Sequence, residues 1–223
     1  MKSKPLRSGL CIYCDVRDAT TLDELPPRNL FEKRVPRTLV KVPSCFECNN
    51  GASKDDEHFR LSLSLRWDMN HPDAIAARDS AIRSLHRPEA GGLRASFLGR
   101  TREVELITPA GLYFGRTGVY DVDVERLDRV MRRITLGFFY TETGQRLADR
   151  YDADSYLLPQ VDPSARAQLQ RVIDAVAAMP PKIIGRQTVI YRVAFAEEDR
   201  NLSAWLFDFY KRVRWLTITG PAR

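Results

Sequence analysis

The chain has 223 residues, 43% of them apolar and 9% aromatic, enough for a core of ordinary size and too many for wholesale disorder. Thirty-five Lys and Arg against 29 Asp and Glu leave a formal net charge of +6, which suits a polyanion-binding surface without requiring one. No stretch approaches the ~18 uninterrupted apolar residues of a membrane span, and the basic start is followed by only a short apolar run, Gly9 to Tyr13, so neither a membrane partner nor a signal peptide is expected and a soluble cytoplasmic protein is the default.

The cysteines come first in the chain and carry the clearest signal. All 4 fall within the first 48 residues as two identical pairs, Cys11-Ile-Tyr-Cys14 and Cys45-Phe-Glu-Cys48. Each C-x2-C loop can aim both sulfurs at one ion, and two such loops complete the four-sulfur tetrahedron that structural Zn2+ accepts. Disulfides, buried thiols or a redox pair are the alternatives. Disulfides need an oxidising compartment, and a redox pair does not account for the second copy. Zinc would fold a short segment that has little core of its own. Between the pairs lies Asp23-Glu24-Leu25-Pro26-Pro27, in which the prolines demand an extended or turning backbone. Beyond the second pair, Ser53 and Asp56 have the spacing of a helix-opening box. The predicted helix carries Phe59, Leu61, Leu63, Leu65 and Trp67, whose alternation is also strand-like. Asp55, Asp56 and Glu57 read as first-turn charges facing the helix dipole, and His58 as a surface residue.

Further along, Ile75, Arg78, Ile82 and Leu85 recur at helical steps, and Pro88 to Gly92 breaks the pattern. Val104 to Ile107, a Thr108-Pro-Ala-Gly111 turn and Leu112 to Phe114 predict a β-hairpin. Asp123 predicts a capped helix in which Val124, Leu127, Val130, Met131 and Ile134 share one face, closed by Gly137 to Tyr140, with Tyr151 to Leu158 extended after it. On that helix Glu125 with Arg129 and Asp128 with Arg132 have the spacing of ion pairs on a solvated face. Asp162-Pro163 starts another helix and Pro180-Pro181 stops it. Three β-like runs, Gln187 to Phe195, Ser203 to Phe209 and Val213 to Thr219, predict an antiparallel meander, in which Trp215 is a core residue. The fold class is therefore α+β, with a zinc-stapled module over 8–66, a helical connector over 67–92 and an α+β domain of unknown role over 93–223.

At its amino end the chain resembles the HNH, or ββα-metal, endonuclease superfamily, in particular its zinc-stapled, endonuclease VII-like branch. The residues that carry the resemblance are Cys11 and Cys14, Asp23 to Pro27, then Cys45, Cys48 and the directly following Asn49, covering about a quarter of the chain. The resemblance implies a ββα-metal fold, Zn2+ at the four cysteines, and a catalytic Mg2+ or Mn2+ held by Asp23 and Asn49. A carboxylate and an amide oxygen are hard ligands suited to such ions. It also implies phosphodiester hydrolysis in DNA, with Asp23, Glu24 and Asn49 as catalytic positions. The chain departs from the family at Glu24, which stands where the family has the histidine that activates water. Glu24 could act as the base if burial raised its pKa, serve as an extra ligand beside Asp23, or mark a site that binds without cutting. Arg28, Lys33, Arg34, Arg37 and Lys41 cluster around the insert and suit phosphate contact. The expectation is a metal-dependent DNA endonuclease. The alternative is a degenerate module that binds nucleic acid or a protein partner without cleavage, and a homodimer or larger complex is compatible with either.

Overall fold

A computed structural model describes residues 9–31, 35–37, 39–66 and 68–222. The amino-terminal part is a hairpin of β1 (Thr21–Leu25) and β2 (Val40–Ser44), followed by the short helix α1 (Phe46–Gly51) and by α2 (Ser53–Ser64). The two strands pair antiparallel, with Asp23 opposite Val42 and Glu24 opposite Lys41. Helix α2 forms despite the strand-like alternation of its apolar residues; it stops at Ser64 with Leu65 as its C-cap, and Trp67, expected on the same helix, lies outside the described residues. Phe59, Leu61 and Leu63 are all buried because α2 is enclosed by α3 (Pro72–Leu85) and α5 (Val124–Thr143). Alternation ceases to be diagnostic in a helix covered on more than one side. Ser53 does not cap α2 in the expected way: its hydroxyl donates back to the Asn50 carbonyl, and Asp56 is drawn into an ion pair elsewhere.

Helix α3 forms where expected but turns a different face inward. Ala74, Ala77 and Ala81 are buried, while Ile75 and Ile82 remain exposed. Small side chains allow α3 to approach α2 closely. His71 caps α3, its Nδ1 accepting from the Asp73 amide at 3.2 Å. After a turn at Pro88–Ala90 come α4 (Gly91–Gly99) and the expected hairpin, β3 (Thr101–Ile107) with β4 (Tyr113–Tyr120).

The remaining strands, β5 (Tyr151–Leu157), β6 (Lys182–Ile184), β7 (Val189–Phe195), β8 (Ser203–Phe209) and β9 (Val213–Pro221), form one antiparallel sheet in the order β5-β9-β8-β7-β6. Strand alternation divides its side chains between two faces. Trp205, Phe207, Phe209 and Trp215 join the cluster that contains Met131, Ile134 and Phe138 of α5 together with Leu25, Leu30 and Phe59 of the amino-terminal part. Leu206 and Leu216 point the other way and pack with Val176 of α6 (Pro163–Ala177). Both faces are covered, which is why β8 is apolar at nearly every position. The Tyr210 hydroxyl donates to the Leu30 carbonyl at 2.8 Å, tying the sheet to the hairpin insert.

Helix α5 links these layers and runs past the expected stop to Thr143, where Gly144 adopts φ 72 as a left-handed cap. Gly137 lies within α5 because the helix crosses the hairpin there. A Cβ on Gly137 would overlap Leu25 Cδ1 and come within 3.6 Å of the Tyr13 hydroxyl. Alanine normally improves a helix by about 1 kcal/mol over glycine, but here the sign reverses. Gly137→Ala is expected to lower stability by about 1–3 kcal/mol through overpacking, read as a shifted urea midpoint, whereas Gly51→Ala, with nothing within 4 Å of the new methyl, should not.

Candidate metal centre

The two cysteine loops are built differently. The first is a tight reversal: the Cys11 amide donates to the Arg17 carbonyl at 2.8 Å, the Asp15 amide to the Cys11 carbonyl at 2.9 Å, and Asp15 itself takes φ 52. The second opens α1, with Cys45 as the N-cap and its Sγ accepting from the Cys48 amide at 3.4 Å. Strand β2 delivers Cys45 beneath the first loop, so all four Sγ atoms lie within 4.8 Å of one another. None of the four is disulfide-bonded. Tetrahedral zinc with ~2.3 Å bonds to sulfur sets sulfurs a little under 4 Å apart, so the cluster can hold one metal ion and is compatible with structural zinc. Backbone amides of Val16 and Arg17 pull the Cys14 thiol down to about 6. At Cys11 burial pushes the thiol up, but amides led by that of Cys45 outweigh it and its pKa is lowered. Cys48 moves the other way, raised by burial and then by sharing a proton with Cys45. Four sulfurs this close cannot all ionise without a divalent cation among them.

The positions implied for a second, harder cation are arranged otherwise. Asp23 is 4% exposed, on the inward face of β1. Its Oδ2 accepts from the Tyr13 hydroxyl at 2.7 Å and lies 3.2 Å from Nε of Arg133. Arg133, from α5, also donates through Nη2 to both carboxylate oxygens of Asp56 on α2, each at 2.9 Å. One guanidinium thus sits between the buried carboxylate of Asp23 and the half-buried one of Asp56. Burial pushes both carboxyls up and Arg133 pulls against it, leaving each raised. Burial alone would lower the Arg133 pKa, but Asp56 and Asp23 more than offset it and hold the guanidinium protonated. Glu24 faces the opposite side of β1, as its neighbour in a strand must. Its carboxylate is 2.7 Å from Lys41 Nζ, directly across the hairpin, and 4.0 Å from Arg28. The Asn49 amide group donates to Thr21 Oγ1 at 3.1 Å and to the Leu22 carbonyl at 3.4 Å, fastening α1 to β1. Asp23 is thus engaged by Tyr13 and Arg133, and the amide nitrogen of Asn49 by β1. Among the described residues the only cluster of three or more His, Cys, Asp or Glu able to hold a metal is the four cysteines.

Several surrounding residues differ from their expected roles. His58 is buried, not on the surface: Nε2 accepts from the Asp123 amide at 3.3 Å and Nδ1 lies 3.2 Å from the Tyr120 hydroxyl. Burial lowers its pKa, so the imidazole is a neutral strut between α2, β4 and α5. Asp55 and Asp56 stand in the first turn of α2 as expected, and all three acids are in addition partners of arginines. Asp55 binds Arg129 at 2.8 Å and Arg126 at 3.3 Å, and Glu57 pairs with Arg60. The arginines of α5 likewise pair across elements: Arg132 pairs with Asp152, and Asp128 accepts from Ser155 at 2.6 Å. In the proposed phosphate-contacting set, Arg28 and Arg37 are exposed and Lys41 is held by Glu24; Lys33 and Arg34 lie outside the described residues.

No protein-family model, curated protein or solved structure matches this chain.

Replacing Arg133 with glutamine leaves the buried Asp23 and the half-buried Asp56 without their shared cation, a change expected to cost about 3 kcal/mol at neutral pH, the low end for breaking a buried pair. Both carboxyls already sit above their ordinary values, and loss of the guanidinium raises them further. A raised folded-state pKa favours folding below the unfolded carboxyl's value and is lost as pH rises through the folded one. The deficit of Arg133→Gln should therefore shrink as pH falls through the carboxylate range, measurable by urea melts from neutral to acid pH.

Proposed function

We propose that this chain is a nucleic-acid-binding protein built on an HNH-like, zinc-stapled ββα module that holds DNA without cutting it. The observation that carries the reading is Arg133 bridging Asp23 and Asp56. A divalent ion in that position would neutralise the carboxylates and also bind and acidify a water. A guanidinium supplies the first property and lacks the second, because it has only donors and cannot coordinate an oxygen nucleophile. Glu24 does not restore the chemistry, since Lys41 and Arg28 engage it on the other side of the strand. What remains is a stapled hairpin with exposed Arg28 and Arg37 in a chain of net charge +6, a surface suited to phosphates without reading sequence. Zinc at Cys11, Cys14, Cys45 and Cys48 holds the hairpin to the helices and takes no part in chemistry.

The nuclease reading has one observation in its favour. Asn49 hydrogen-bonds Thr21, which shares a strand face with Asp23 two residues on, so withdrawal of Arg133 would leave a carboxylate and an amide on one side of the hairpin. Zinc-loaded protein incubated with supercoiled plasmid and Mg2+ or Mn2+ separates the readings. The proposal expects no nicking, together with DNA binding that weakens steeply between low and physiological salt. Divalent-dependent cleavage that disappears in Asp23→Ala and Asn49→Ala would establish the nuclease instead.

A further inference from the structure

A second site lies away from the Asp23–Arg133 pair, in a cavity of about 600 Å3 between the hairpin insert and α3. Arg28, Asn29 and Phe31 line it from the insert, Arg60 from α2, and Ser80 and Arg83 from α3. Its size is within the ~300–1,000 Å3 of small-molecule sites. Two buried polar atoms of opposite character, both from lining residues, have no partner among the described residues: Nε of Arg60, a donor, and Oδ1 of Asn29, an acceptor. Arg60 is 7% exposed, and its two terminal nitrogens are already engaged, Nη1 with Ser80 at 3.1 Å and Nη2 with Glu57. The Asn29 amide nitrogen is likewise committed, donating to the Asp56 carbonyl at 3.1 Å. These bonds fix both side chains while one donor and one acceptor stay unsatisfied, which costs stability unless something is bound there.

The charges narrow what that is. Arg28 and Arg83 are exposed at the cavity; Arg28 meets only Glu24 at 4.0 Å, and Arg83 makes no ion pair among the described residues. Among the described residues Asp79 is the acidic side chain in the lining, and Arg78 lies 3.6 Å from it. Three guanidiniums against one carboxylate among those residues, with Glu57 behind Arg60, favour an anion, and guanidinium geometry suits a phosphate. The unpartnered acceptor asks for a ligand that also brings an N–H or O–H, and Phe31, Ala76 and Ala77 add apolar wall. We infer that this cavity binds one nucleotide unit, its phosphate on Arg60 and Arg83 and a base or sugar donor on Asn29. Such a unit comes from a free mononucleotide or from the phosphorylated end of a strand, and the inference does not depend on how the zinc module functions.

The test is calorimetric titration of the full zinc-loaded chain at low salt with dAMP, dGMP, dCMP and dTMP, with inorganic phosphate, and with a short single strand bearing either a 5′-phosphate or a 5′-hydroxyl. Saturable one-site binding of a mononucleotide identifies the free ligand, and preference for the 5′-phosphorylated strand identifies a strand end. In either case Arg83→Gln, at an exposed position that does not threaten folding, should weaken binding about tenfold or more, and Asn29→Ala should do so too. The inference fails if no nucleotide form binds, if inorganic phosphate binds as tightly as the mononucleotides, if the two strands bind equally with no mononucleotide binding, or if Arg83→Gln binds like the parent.

Discussion

One buried guanidinium shared by two carboxylates organises this molecule. Asp23 belongs to the hairpin, Asp56 to the helix after the second cysteine pair, and Arg133 to the helix that carries the five-stranded sheet. Arg133 and Asp23 would each be costly to bury alone, and removing the cation would leave two like charges near one another without a counterion. The three elements are therefore held in register by a polar constraint as well as by the apolar packing of Leu25, Phe59, Met131 and Phe138. Arg126 and Arg129 extend the same helix face onto Asp55, so α5 docks onto α2 through a ladder of arginines meeting acids.

The cysteine cluster and the arginine bridge divide the work between them. Four converging sulfurs join the two loops where there is little apolar area to bury, which is the task that suits a metal ion. The arginine bridge joins the module to the rest of the chain through partners that need no ion. Tyr13 stands between the two arrangements: it lies within the first cysteine loop and donates its hydroxyl to Asp23 at 2.7 Å. Gly137 lets α5 pass close to Leu25 of the hairpin and to the Tyr13 hydroxyl, since any larger residue would meet Leu25.

Much of this was legible in the sequence, and the remainder was hidden for identifiable reasons. Proline and aspartate signals located α5 and α6, and β-branched and aromatic runs located β7, β8 and β9, because these depend on neighbours along the chain. The repeated C-x2-C spacing foretold the sulfur cluster because that geometry is local within each pair. The fate of Asp23 was not local. Nothing within ten residues of it indicates that its partner would come from position 133. Only the placing of Arg126, Arg129 and Arg133 on one helical face, matched by adjacent Asp55 and Asp56, carried a trace of it, and near-neighbour acids on α5 offered a simpler pairing. His58 was misjudged because its polar sequence neighbours concealed Tyr120 and Asp123, which reach it from elsewhere in the fold. Ile75 and Ile82 misled in the same way, since the alanines of α3 make the contact.

A crystal structure of the zinc-loaded protein soaked in Mn2+, with anomalous scattering collected for both metals, tells whether Arg133 or a divalent ion stands between the acids beside the hairpin. With Arg133 in that place, one strong site is expected, zinc within the four sulfurs, and guanidinium density joins Asp23 to Asp56. Manganese bound to Asp23 and Asn49, with Arg133 displaced, would overturn the proposal.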